Sequence, residues 1–274
     1  MGAVTVVEVP QWRGSGAATA ERLVEGAWLL SGMVPAERRV RVEAGDDLVV
    51  TAARVREALT AAGDGFVVTV GGDCGVELEP VAAARRAYGD RLVVVWFDAH
   101  GDLNTPQSSP SGAFHGMVLR ALTGEGPRGL TADPAVDPRR VVLAGARDLD
   151  PGEAAFVAAA GVGHVRAADP EALIRAVTAA SPPEPAGEVV LYVHVDLDVL
   201  EPEVFGSVGS PVAGGFSPEE LTRMVTALGE RFAVAGLGIT EYEPGRPGDR
   251  DVLAPVVTAL VEACTSHPGR TAPR

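Results

Sequence analysis

No lysine occurs anywhere in the 274 residues, so all 23 basic side chains are arginines. That absence excludes Schiff-base chemistry and the phosphate-binding lysine of a P-loop. Cysteine is nearly as scarce. Cys74 and Cys264 give no disulfide framework and fit a reducing, cytoplasmic setting. No apolar run approaches the roughly eighteen residues that a membrane helix needs, and the first residues lack the basic-then-apolar order of a secretory signal. Positive charge is in deficit too, with 37 acidic side chains and a net charge of -14. A field of that sign argues against nucleic acid or an anionic membrane as partner. It favours metal ions or a cationic small molecule.

What is abundant is aliphatic. Hydrophobic residues make up 46% of the chain, ample for a large core. Short valine-rich runs predict strands at Phe66–Val70, Leu92–Phe97, Val141–Ala144, Val189–Val195 and Phe232–Ile239. Helical periods predict helices near Ala52–Ala62, Pro80–Tyr88, His115–Thr123, Gly152–Ala160, Glu171–Ala180, Pro218–Leu228 and Val252–Cys264. Leu92-Val-Val-Val-Trp-Phe97 is apolar on both faces, as a central parallel strand covered from both sides must be. The alternation predicts a three-layer α/β fold, a central parallel sheet with helices on both faces. Ser217-Pro-Glu-Glu220 is a helix start, serine capping and glutamate following three residues on. Ser181–Gly187 reads as a loop too short to link domains, so residues 1–274 form a single domain.

Two strand ends carry more charge than a buried edge tolerates alone. Asp98-Ala-His100-Gly-Asp102 follows one strand, and Tyr192-Val-His194-Val-Asp196-Leu-Asp198 ends another. Side chains two apart on a strand share a face, so each set points one way if its strand continues. At the carboxyl edge of a parallel sheet both sets face the ligand-binding side. Packed carboxylates repel unless protonated or neutralised by cations, and oxygen donors with one or two imidazoles suit manganese, magnesium or iron. A lone Asp-x-Asp is usually a capping feature; two such sets after two buried strands point to a two-metal site. Val68-Thr-Val-Gly-Gly-Asp-Cys74 brings a third strand end and a thiol, which is a nucleophile, a metal ligand or an apolar plug.

The pieces Gly71-Gly-Asp-Cys74, Phe97-Asp-Ala-His-Gly-Asp-Leu-Asn104, Ser111-Gly-Ala-Phe-His-Gly116, Asp196-Leu-Asp198, Gly209-Ser-Pro-Val-Ala-Gly-Gly215 and Glu241-Tyr-Glu-Pro244 occur in one order along the chain. In that order they resemble the ureohydrolase family of arginases, agmatinases and other amidinohydrolases, from Gly71 to about Asp249. The resemblance implies two manganese ions, Mn(2+), per chain. Asp98 and Asp196 would bridge them, Asp102 would complete one site, and His100 with Asp198 the other. Water activated between the cations would attack the guanidino carbon. His115 matches the histidine that moves protons to the departing amine. Glu241 matches the carboxylate that holds the guanidinium, and Ser210 stands near the same group.

Asn104, Ser109 and Ser111 match residues that bind an α-carboxylate in arginases. Arg147-Asp-Leu-Asp150-Pro-Gly-Glu153 resembles the loop whose acids hold the α-ammonium. By itself Asp150-Pro-Gly-Glu153 also reads as a helix cap. Three positions depart from the pattern. Cys74 replaces a histidine, Ala113 replaces an asparagine, and His194 stands where small hydroxyl residues are usual. Cys74 is expected to be a thiolate ligand, which would weaken the Lewis acid and suit a more easily attacked substrate. His194 is either a partner of a ligand or a satisfied core histidine.

Within the family the chain resembles the enzymes of D-cycloserine biosynthesis that cleave Nω-hydroxy-L-arginine to hydroxyurea and L-ornithine. An ordinary arginase, and a non-catalytic relative that binds amino acids, are the alternatives. The short polar stretch Thr265–Arg274 leads to the expectation of a monomer or weak homo-oligomer.

Overall fold

The computed structural model describes residues 3–63, 65–182 and 187–266. Most of the predicted Ser181–Gly187 loop and of the Thr265–Arg274 stretch lies outside these residues.

Eight strands form one parallel sheet among the described residues. In chain order they are β1 (Val4–Val9), β2 (Arg38–Arg41), β3 (Phe66–Gly71), β4 (Leu92–Phe97), β5 (Val141–Ala144), β6 (Gly163–Val165), β7 (Val190–Asp196) and β8 (Ala233–Thr240). Their spatial order is β2-β1-β3-β8-β7-β4-β5-β6. The helices are α1 (Leu23–Met33), α2 (Leu48–Ala62), α3 (Leu78–Tyr88), α4 (Val118–Leu122), α5 (Pro151–Ala160), α6 (Pro170–Ala180), α7 (Pro218–Arg231) and α8 (Asp249–Thr265).

Alternation along β4 shows why helices lie on both faces. Val93, Val95 and Phe97 enter a core shared with α1, α6, α7 and α8. Leu92, Val94 and Trp96 enter a second core built with α3, α4 and part of α5. Val7 and Val9 of β1 meet Val55 and Ala58 of α2 in a third cluster. Each face of the sheet thus loses its apolar surface to a helix layer, the arrangement a both-sided apolar strand requires. Ser217 caps α7 as expected, its hydroxyl accepting from Glu220 N at 3.1 Å while Glu220 accepts from Ser217 N at 2.9 Å. No helix among the described residues is long and apolar enough to cross a membrane.

Three differences from the sequence-based expectation have physical reasons. β1, β2, β6 and α1 lie outside the expected elements: β2 is Arg-Arg-Val-Arg at the sheet edge and β6 has three residues, although β1, Val-Thr-Val-Val-Glu-Val, is a valine-rich buried run. The helix expected at His115–Thr123 is a 3-10 turn, His115–Met117, leading into the short α4. Finally, the strands do not continue through their charged tails. β4 stops at Phe97, and β7 ends at Asp196 before a 3-10 turn, Leu197–Val199. The acids converge because loops turn back, not because side chains alternate.

β3, β8, β7 and β4 lie side by side in the middle of the sheet. Their carboxyl ends carry Cys74, Glu241, Asp196 and Asp98 respectively, so four sequence-distant segments meet at one edge.

Candidate metal centre

The carboxylates of the floor are held by the chain's own donors. Asp98, fully buried, accepts from Trp96 Nε1 at 3.0 Å and from His100 N at 2.6 Å. Asp198 accepts from Ala99 N at 3.0 Å and donates its own N–H to Asp196 at 2.7 Å. His100 Nδ1 sits 3.0 Å from Asp198 and 3.4 Å from Asp98. Asp102 adopts a left-handed φ of 52°, and its buried Oδ2 has no hydrogen-bond partner. Cys74 Sγ lies 3.1 Å from Asp196 Oδ2.

So many acids in a dry volume resist ionisation. Burial, then the charge of neighbouring carboxylates, pushes Asp102 and Asp196 well above the usual carboxylate range. Burial and Asp98 bring Asp198 up to about 6. Asp98 is the exception: burial raises it, but His100 more than offsets this and takes it down to about 2. Burial together with Asp196 pushes the Cys74 thiol up. Groups in this state want protons or cations.

The donor set suits cations. Donor atoms of Asp98, His100 and Asp198 lie within 4.8 Å of one another, as do those of Cys74, Asp196 and Glu241, and those of Cys74, Asp98 and His194. With the orphaned Asp102 oxygen, the residues fit a pair of divalent ions.

Above this floor opens a cavity of about 280 Å³. His100, Asp102, Asp196 and Asp198 face it from below, while Cys74 and Asp98 lie beneath it. Glu241 and His115 form one wall. Glu241, at a left-handed φ of 63°, accepts from Cys74 N at 3.0 Å and lies 3.1 Å from His115 Nδ1. Burial lowers the His115 imidazole, yet the hydrogen bond and charge of Glu241 carry it up to about 9. Ser210, from the loop after β7, completes this side.

The cavity is also lined by Asn104, Ser111, Asp150 and Glu153. Glu153 both caps and lines: it accepts from Asp150 N at 2.9 Å and from Leu103 N at 2.9 Å. Burial brings it up to about 7. Asn104 donates to Asp150 at 2.8 Å and accepts from Ser108 Oγ at 2.8 Å. Ser109 does not line the cavity; its hydroxyl accepts from Gly112 N at 3.0 Å and meets Ser111 Oγ at 3.4 Å.

Several functional neighbours had no sequence signal of their own. Asp148 lines the cavity. Arg147 donates to the carbonyls of Asp198 and Val212 at 2.9 and 2.7 Å, tying the Asp196–Asp198 turn to the Ser210 loop. Asp73 holds the N-terminal segment against the site, accepting from Gln11 Nε2 at 3.0 Å and Gly14 N at 2.9 Å. The adjacency of Asp148 to the Asp150-Pro-Gly-Glu153 cap was the one usable clue.

The family model described as Arginase family matches residues 34–264. The chain belongs to the arginase family. An arginase of Staphylococcus aureus (strain COL) is 36% identical over 184 residues, which cover 65% of this chain and 61% of that protein. The match thus spans less than two thirds of that relative. In structure, a Bacillus subtilis arginase aligns over 98% of this chain and 99% of its own, with a TM-score of 0.81 and 23% identity. An Entamoeba histolytica arginase in complex with L-ornithine aligns over 95% and 97%, with a TM-score of 0.78 and 24% identity. At these identities the structural matches establish the arginase fold.

Proposed function

We propose that this chain is a binuclear manganese amidinohydrolase that cleaves the guanidino carbon of an L-arginine-type substrate, with Nω-hydroxy-L-arginine favoured. The observation that carries the reading is one cavity lined by two chemically different sets of side chains. Metal-type donors with Glu241 and His115 form one set, and Asp148, Asp150 and Glu153 form the other.

Asp98 and Asp196 would hold both ions, with Asp102 and Cys74 on one side and His100 with Asp198 on the other. Bound there, the ions supply Lewis acidity that makes water nucleophilic at neutral pH. The protein does the rest. Glu241 holds the guanidino group by charge and hydrogen bonding, fixing its carbon above the floor. Glu241 raises the His115 imidazole to about 9, which suits it to protonate the departing δ-nitrogen. Water adds at the guanidino carbon and the bond to the δ-nitrogen breaks. L-ornithine leaves, with hydroxyurea from the hydroxylated substrate or urea from L-arginine.

Asp148, Asp150 and Glu153 suit the α-ammonium of the amino acid, and Ser111 with Asn104 its carboxylate. Two features favour the hydroxylated substrate. Cys74 in place of a histidine gives a more electron-rich and weaker Lewis acid, and Ala113 removes an amide from the rim. An N-hydroxyguanidine is less basic than a guanidine, so its carbon is more easily attacked. The likeness to named arginases supports L-arginine as the second reading.

The test is turnover of manganese-loaded protein with Nω-hydroxy-L-arginine, L-arginine and agmatine, following ornithine, hydroxyurea and urea. Hydroxyurea and ornithine in equal amounts, at the highest kcat/KM, is the expected result. A preference for L-arginine would install the ordinary arginase reading. Hydrolysis of no guanidine would remove the activity altogether.

A further inference from the structure

Behind the floor lies a polar group that the proposed reaction does not use. His194 and Glu77 are both fully buried. His194 projects from β7, and Glu77 ends the 3-10 turn Cys74–Glu77 that follows β3. His194 Nε2 lies 3.5 Å from Cys74 Sγ, and its Nδ1 lies 3.5 Å from Glu77 Oε2. His194 Nδ1 has no hydrogen-bond partner, while the Glu77 carboxylate also meets the Tyr192 hydroxyl. A buried imidazole in this state is costly unless something at the site employs it.

Their placement is built. Gly238 on β8 pairs in register with His194, and a Cβ there would collide with the Glu77 carboxylate. The His194 ring stacks on Trp96, centroids 3.5 Å apart and planes 18° from parallel. The same indole donates to Asp98 at 3.0 Å. One side chain therefore aims both His194 and Asp98 at the space next to Cys74.

We propose that His194 is itself a metal ligand, and that its Nε2 joins Cys74 Sγ and Asp98 in holding the inner of the two cations. This deepens the amidinohydrolase reading and rests on it. The imidazole missing at position 74, after β3, is supplied from β7, two strands away across β8. A cation about 2.0–2.1 Å from nitrogen and 2.3 Å from sulfur places those donors roughly 3.6 Å apart in a tetrahedral shell. The observed separation is 3.5 Å. Glu77 then takes the part of the carboxylate that receives the other ring N–H of a ligating histidine and fixes its orientation. Sulfur with imidazole and one carboxylate also accepts borderline cations such as cobalt(II), which makes cobalt a usable probe, whereas the Asp98, His100 and Asp198 group is richer in hard oxygen donors. A simple thiol–imidazole hydrogen bond is the competing account of the 3.5 Å contact.

Cobalt(II) titration of the metal-free full chain separates the two. The first equivalent should give a near-ultraviolet thiolate-to-cobalt charge-transfer band that Cys74→Ser abolishes. His194→Gln should weaken that equivalent at least about tenfold, and Glu77→Gln by about tenfold. Circular dichroism and thermal melts of each variant report folding. If His194→Gln fails to fold, anomalous diffraction from wild-type crystals carrying cobalt decides instead, with an ion bonded to both Sγ and Nε2 as the expected result. No charge-transfer band, unchanged affinity in both folded variants, or an ion bonded to neither atom would each overturn the inference. Cobalt held by the aspartates and His100 alone would still leave the amidinohydrolase reading standing. Binding of no divalent ion would bring down both.

Discussion

The two ends of the metal floor are built on different principles. The outer end, at Asp98, His100 and Asp198, adjoins the cavity, and its carboxylates accept from backbone amides near the strand ends. The inner end, at Cys74 and His194, lies in the core and is positioned by packing: Trp96 beneath, Glu77 behind, Gly238 making room. Loop-held donors resemble any arginase-family site and can be matched as local motifs. The packing-held pair, Cys74 after β3 and His194 on β7, comes from separate segments, and no local motif joins them. The outer end therefore speaks for reaction class, and the inner end for how this chain departs from its relatives.

The largest effect should come from the residue that serves both ends. Asp98→Ala, or Asp196→Ala, removes a carboxylate proposed to hold both ions and should lower kcat/KM by at least about a thousandfold, ~4 kcal/mol of barrier. Steady-state kinetics with Nω-hydroxy-L-arginine would show it, and normal turnover in either variant would end the two-metal model. A smaller change should follow at the inner end alone. Cys74→His restores an imidazole and should raise the L-arginine to Nω-hydroxy-L-arginine rate ratio about tenfold, ~1.4 kcal/mol of differential barrier. An unchanged ratio would move the burden of specificity to Ala113.

How much of this was legible follows the same division. The buried strands announced themselves because Leu92–Phe97 is apolar on both faces and Val189–Val195 is a valine-rich run, and the parallel sheet placed their ends together. The outer ligands were legible as residues, but the reason given for their convergence was wrong. Alternation along a continuing strand was expected, whereas β4 ends at Phe97 and Asp102 sits at a left-handed φ. His194 was visible as a departure, yet nothing nearby in sequence announced that Glu77 would stand behind it. Asp148 and Arg147 lay inside a quoted loop without a role, since a side chain's partner across a cavity is set by tertiary packing.

The acidic lining gives a milder test. Glu153 accepts two backbone N–H groups while facing the substrate space, so Glu153→Ala should do two things at once. KM should rise, and stability should fall by about 1 kcal/mol, the usual loss for a helix-start contact. A melting change with no change in KM would leave Glu153 as a cap alone.

The smallest predicted effect is a pH trend in the metal-free protein. Asp198 near 6 and Glu153 near 7 lie above their unfolded values of 3.8 and 4.5. The folded state therefore binds protons more tightly. Its advantage is complete below pH about 4 and is lost as pH rises through about 7. Chelated protein should melt lower at pH 8 than at pH 5, and added manganese should remove the difference. Equal melting at both values without metal would show that these acids are not strained by one another.

Elemental analysis of the metal-saturated full chain addresses the two-ion floor most directly. Two divalent ions per chain in the wild type, falling to one or none in Asp98→Ala, is the predicted result. Fewer than one ion per wild-type chain, together with no hydrolysis of any guanidine substrate, would contradict it.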